Sequence, residues 1–260
     1  MTSSLRKVFA VAAVSVLELF RRRDVYVAVI LALVVILPLV SVNVFGVEGV
    51  VRYVREVTLL LIWIFSIIVI VTNAARQIPG EMQRRTILPL LSKPIGRGEL
   101  MIGKFAGASV AAGLALVLFY AGYFMLTLWK AGDPGGGVFL QALILHLLFV
   151  AVLTAMVLLG SMLLTPSANI TCCLLLVGGM MLYGDRLSTM AIDAPAPASW
   201  ILWIAHFILP HFEFFDIKRQ VIHSAAGIDA LTMLMVIGYA CLFTLVFLLG
   251  AIMAFRRKRL

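Results

Sequence analysis

The sequence predicts an all-α integral membrane protein. It has an N-terminal amphipathic interfacial helix, six transmembrane helices, a helical cytoplasmic loop between spans 2 and 3, and an outer re-entrant or interfacial segment before span 6. Three observations predict this class. The 260 residues are 63% hydrophobic and 13% charged, against about 45–50% and about 25% in a soluble domain. The apolar residues gather into charge-free runs of roughly the 20 residues that a bilayer-crossing helix needs. Those runs are apolar all round rather than alternating, which excludes a β-barrel. The same composition excludes a water-soluble globule and a disordered chain.

The first element, 1–24, places Leu5, Val8, Phe9, Ala12, Val16, Leu19 and Phe20 on one helical face and Lys7, Glu18, Arg21 and Arg22 on the other. A helix lying in the headgroup plane has this pattern. Glu18 interrupts the run, and Arg21-Arg22-Arg23 stand where signal-peptide cleavage would need small residues, so the helix is expected to be uncleaved. Span 1 is expected over 25–47 and span 2 over 57–76. The charge-free Val57–Ala75 run holds twelve Val, Leu, Ile or Phe residues. At about −0.3 to −0.6 kcal/mol each, they favour insertion by on the order of 5 kcal/mol.

After a loop at 77–98, span 3 is expected over 99–129. The longest charge-free run, Pro134–Gly184, has 51 residues. As one helix it would be about 75 Å long, over twice the bilayer thickness. It is therefore expected to form two spans, 138–165 and 168–184, broken at Thr165-Pro166-Ser167 because proline cannot continue a helix and Ser and Thr favour turns. In the outer segment, 185–229, Trp200–Leu209 is apolar but too short to cross, and Pro210 ends it. The last span is expected over 230–255, closing one transmembrane domain of residues 1–260.

With 21 Lys and Arg against 12 Asp and Glu, the net charge is +9. In a soluble protein that excess would suggest nucleic acid; in a membrane chain it reports topology. With the N-terminus inside, 15 of the 21 basic residues fall on inner segments, and six spans return Arg256–Arg259 to the same side. The expectation is a multi-pass protein of the cytoplasmic (inner) membrane with both termini cytoplasmic, contacting the lipid bilayer and no nucleic acid. Cys172, Cys173 and Cys241 lie in apolar runs and form neither a disulfide framework nor a metal-ligand spacing.

No Asp, Glu, Lys or Arg lies within the charge-free runs. A proton- or ion-coupled carrier keeps such groups at membrane depth. Only His146 is ionisable there, and it is expected to be neutral and hydrogen-bonded to a neighbouring helix. No carboxylate pair, His/Glu metal motif or Ser-His-Asp set near the spans points to an enzyme. Energy coupling is expected to come through the cytoplasmic loop.

That loop contains Glu81, Arg84, Arg85-Thr86, Leu90-Leu91-Ser92-Lys93-Pro94-Ile95, Arg97 and Gly103-Lys104. In this order and spacing it resembles the permeases of type-2 ABC exporters. Their first cytoplasmic loop has an acidic residue, a Gly/Arg-Thr pair, a Leu-Leu-Ser-x-Pro-Ile core, an arginine, and a Gly-Lys opening the third span. Arg85-Thr86, the Leu-Ser-Lys-Pro form, and Leu209-Pro210-His211-Phe212-Glu213-Phe214-Phe215-Asp216 followed by His223 resemble the subgroup associated with multicopper-enzyme maturation, such as the permease beside nitrous oxide reductase. The resemblance implies a homodimeric permease with two ABC ATPase subunits. It also implies ATP and magnesium on those subunits, no cofactor in this chain, and a coupling helix built from the loop residues just named. The physical reading agrees: Leu90 and Leu91 would anchor in a partner's groove while Arg84, Arg85 and Lys93 set register. A basic interfacial helix contacting anionic headgroups is the bland alternative for the loop. For the whole chain the alternative is a non-transporting scaffold or assembly factor that recruits an extracytoplasmic partner.

Gly98–Lys104 matches seven positions of a P-loop, but Phe105 replaces the Ser or Thr that would hold magnesium, so no nucleotide site is expected. The outer residues Trp200 and Trp203 suit the headgroup level. His206, His211, Glu213, Asp216 and His223, with Met180, Met181 and Met190 nearby, have ligand types that copper accepts but match no known site spacing, and helix packing is the expected role. Gly103-x-x-x-Gly107 permits close approach of another helix.

Overall fold

The computed structural model describes residues 2–21, 47–83, 96–131, 136–222 and 227–258. The expected first span, 25–47, lies outside the described residues except for Val47. Among the described residues every regular element is helical: α1 (Thr2–Arg21), α2 (Val47–Gln83), α3 (Arg97–Ala131), α4 (Gly136–Leu163), α5 (Pro166–Tyr183), α6 (Leu187–Asp193), α7 (Ala198–Ile208), α8 (Lys218–Ile222) and α9 (Ala230–Arg257), with 3-10 turns at Gly184–Arg186 and Phe212–Phe215. Among the described residues, six stretches are long and apolar enough to cross a membrane. Five are the expected spans 2 to 6. The sixth, Ala198–Phe215, belongs to the outer segment.

Helix α4 forms the centre of the bundle. Leu145, Phe149, Val152, Leu153, Ala155, Val157 and Leu158 on it are all buried, with α2, α3, α5 and α9 packed around it. Its end and the start of α5 follow from local chemistry. Thr165 is extended and caps α5, its Oγ1 accepting from the Ala168 N–H at 3.4 Å, and Pro166 takes the first helical position, where its missing N–H costs nothing. Buried Asn169 then donates from Nδ2 to the Val157 carbonyl at 3.0 Å and accepts from the Cys173 thiol at 3.3 Å. Gly160 is bare where the Asn169 side chain lies against it.

Helix α2 runs seven residues beyond the expected end of span 2, through Pro79. An interior proline costs about 3 kcal/mol. Ile78 offsets much of this by burial with Leu100, Met101, Leu158, Met162, Ala251 and Phe255, since a fully buried aliphatic side chain contributes about 1.5–3 kcal/mol. This cluster joins α2, α3, α4 and α9 at the end of the bundle that carries Gln83 and Gly96.

Helix α1 packs across α3 at the same end. Added Cβ atoms at Gly103 and Gly107 would lie 2.8 Å from the Val11 Cβ and 2.5 Å from the Ser15 Cβ. Only bare backbone admits the helix. The packed face is thus Val11 and Ser15, while Phe9 is 77% exposed. Phe9, on the apolar face of the helical wheel, is left free of the α3 contact. Two small residues cut a groove, and the helix seats its own small residues there. Phe9 and Leu17 are left on the outside of the bundle.

At the opposite end, α7 is only 11 residues, about 16 Å or half a bilayer. It ends at extended Leu209 before Pro210. The chain then turns back into the bundle, where Phe212 and Phe215 are buried with ring centroids 5.3 and 6.4 Å from Phe149.

Candidate functional site: the base of the 84–95 loop

The base of the loop is held by three devices. The first is an ion pair between Glu81, in the last turn of α2, and Lys104, in the second turn of α3. Lys104 is 2% exposed and Glu81 16%. An ammonium group buried this far needs a partner, because its desolvation costs several kcal/mol. The second is Arg97, whose Nη1 donates to the carbonyls of Phe255 (3.2 Å), Arg256 (2.9 Å) and Lys258 (3.1 Å). The last carbonyls of a helix have no partners within it and carry its negative dipole end, so a guanidinium there caps α9. The Arg97 guanidinium also lies 5.8 Å from the Phe255 ring centroid, within cation–π range. The third is Glu99, whose Oε2 accepts from the Gly96 N–H at 3.0 Å. This is the carboxylate half of a capping box, and it fixes where α3 begins.

These contacts join the two ends of the loop to α2, α3 and α9, and through Gly103 to α1. Of the twelve residues expected at the coupling site, Glu81, Arg97, Gly103 and Lys104 are in this base. Arg84, Arg85, Thr86, Leu90, Leu91, Ser92, Lys93 and Pro94 lie outside the described residues. The P-loop-like Gly98–Lys104 run is helical throughout, and the Lys104 amine is committed to Glu81. It offers no phosphate cradle.

His146 in α4 is fully buried. Its ring stacks on Trp63 at 4.1 Å. The Ser66 hydroxyl gives its proton to the Trp63 carbonyl at 2.9 Å, so at the 2.8 Å contact it accepts from His146 Nε2. Nδ1 then accepts from the Tyr120 hydroxyl at 3.3 Å. One donor and one acceptor satisfy a neutral imidazole. The arrangement ties α4 to α2 and α3.

In the outer segment, Trp200 is 72% exposed, and Trp203 packs against His206 and Phe207 at 5.7 and 5.8 Å. His211 meets Glu213 at 2.7 Å, and Asp216 pairs with Lys218 at 2.7 Å. His223 lies outside the described residues. Among the described residues no three His, Cys, Asp or Glu side chains converge as a metal-ligand set. The sequence placed these residues in the outer segment, with helix packing as the expected role. The structure brings the His211 N–H to the Tyr239 hydroxyl at 2.8 Å, nine residues or about 13 Å along α9. The Phe212 and Phe215 pair was the available signal, since two aromatics three apart share one face and both rings enter the core.

The fold and this braced base define a polytopic membrane subunit, all-helical among the described residues, in which both ends of the 84–95 connection are anchored in the bundle. The chain belongs to the ABC-2 transporter family: the model described as ABC-2 family transporter protein matches residues 2–260. No individual curated protein matches it. The protein is thus a membrane permease subunit, distinct from the ATPase, and the family implies an ABC ATPase as its partner.

Proposed function

We propose that this permease works as an exporter subunit whose 84–95 loop is gripped from the cytosol by a separate ABC ATPase, two permease copies pairing with two ATPase copies. The observation that carries the proposal is the bracing of the loop's base. Glu81–Lys104 and Arg97 tie the loop to three long helices, so force applied to it is delivered to the bundle rather than dissipated in a slack connection. The division of labour follows. Glu81, Arg97, Gly103 and Lys104 transmit. Arg84, Arg85, Thr86, Leu90, Leu91, Ser92, Lys93 and Pro94 form the docking face, with the leucines as anchors and the charges setting register. Helix α1 would lie at the inner membrane interface beside this base. The likeness of the loop and of Leu209–Asp216 to the metalloenzyme-maturation subgroup supports a cargo, or an extracytoplasmic partner, used in that process.

The test is co-expression with the ATPase subunit, followed by ATP turnover and pull-down in nanodiscs. Arg85→Ala is expected to lower ATPase association at least tenfold. Arg97→Ala is expected to leave association intact and to reduce transport per ATP. ATP turnover by the permease alone would refute the reading, as would wild-type coupling in both variants.

A further inference from the structure

His211 faces two acceptors. Its Nδ1 is 2.7 Å from Glu213 Oε1 and its Nε2 is 3.0 Å from the His206 carbonyl oxygen. A carbonyl and a carboxylate only accept, and a neutral imidazole has a single N–H. Both contacts are hydrogen bonds only if the His211–Glu213 pair carries one proton beyond neutral imidazole and ionised carboxylate. His146 shows the contrast, with one donor and one acceptor around its ring.

We propose that His211 and Glu213 form a proton-binding site, and that the bound proton latches the re-entrant turn shut. The latch spans three elements. The His206 carbonyl belongs to the last turn of α7, Glu213 to the 3-10 turn, and the His211 backbone N–H reaches Tyr239 on α9 at 2.8 Å. Phe214 stacks on the His211 ring at 5.3 Å and meets Tyr239 edge-on at 5.5 Å, closing the turn over the pair. His211 is 12% exposed and Glu213 14%, and the second Glu213 oxygen is buried with no hydrogen-bond partner.

The other charged or titratable groups around the pair are few. His206 presents its ring at 4.6 Å, and Tyr239 faces it from α9. Asp216 is already matched by Lys218 at 2.7 Å. Asp185 and Arg186 follow Gly184, against whose bare backbone the Glu213 carboxylate lies. His146 is satisfied within the bundle by Ser66 and Tyr120.

The sign follows from the donors. Removing the proton leaves a ring lone pair facing an oxygen and strands a mostly buried carboxylate, so the latch is closed at low pH and loosens as pH rises.

The test uses the full chain in lipid nanodiscs with ¹⁵N-labelled histidine. There are 4 histidines. The His211 resonances are assigned by their loss in H211Q or, if that variant is not recovered, by the pair that changes in E213Q. The expected result at neutral pH is two protonated ring nitrogens in the wild type. E213Q should lose one N–H signal, because the Gln amide can donate to Nδ1. The thermal midpoint of the wild type should fall more on alkalinisation than that of E213Q. A single N–H on His211 in the wild type at neutral pH overturns the proposal, as does a protonation state indifferent to E213Q.

Discussion

Removing Glu81 should destabilise the protein more than removing Lys104, although the two form one ion pair. Lys104 is 2% exposed and Glu81 16%. In Glu81→Ala the ammonium stays where water cannot reach it, and an uncompensated buried charge costs about 3–5 kcal/mol. In Lys104→Met the apolar stem is replaced by one of similar shape, and the carboxylate, lying closer to the surface, rehydrates. The expected cost is about 1–3 kcal/mol, the range for a stranded polar group. The double variant Glu81→Leu/Lys104→Met should recover most of the loss, since apolar replacement of a whole buried pair is often neutral or stabilising. Equilibrium unfolding in lipid nanodiscs, run as a double-mutant cycle, measures all three. Equal costs for the single variants, or a double variant as unstable as Glu81→Ala, would refute the buried-charge argument.

Gly107→Leu should displace α1 from α3, because its Cβ would meet Ser15 and the Ala12 carbonyl; proteolytic release of the N-terminal helix reads this, with Gly122→Leu, where nothing lies within 4 Å, as the silent control. Asn169→Leu should cost about 0.6–1.7 kcal/mol, the range for side-chain hydrogen bonds inside membrane bundles, and unfolding in nanodiscs checks it. Arg97→Lys keeps the charge but loses the planar fork. It should retain ATPase association while transport per ATP falls. His146→Leu should lower thermal stability and leave the pH profile of transport unchanged. A changed profile would give His146 a role in proton transfer.

Local chemistry made much of the fold legible. The break at Thr165-Pro166 needs only a cap and a proline. A charge-free run defines its own span. What the sequence hid depends on partners distant in the chain. The wheel marks an apolar face on α1 but cannot say which residues meet α3. In lipid, apolar side chains gain little by choosing protein over acyl chain, and small residues decide contacts. Gly103 and Gly107 therefore chose the face. Glu81 and Lys104 were marked by motif resemblance, but that they meet across the loop was not legible. A lysine at the mouth of a charge-free run was the hint that a carboxylate must lie near. Helix packing was expected for His211, but its partner Tyr239 was not legible; buried Phe212 and Phe215 carry the turn into the bundle.

The most direct measurement of the central claim is site-directed cross-linking from the loop. A photoreactive group at position 92 of the full permease, in nanodiscs with the co-expressed ATPase subunit, should capture that subunit with a yield that changes on adding ATP. A probe at exposed Trp200 on α7 should not capture it. Capture from position 200 but never from position 92, or a loop that labels only lipid in every nucleotide state, would contradict the claim that the motor grips this loop.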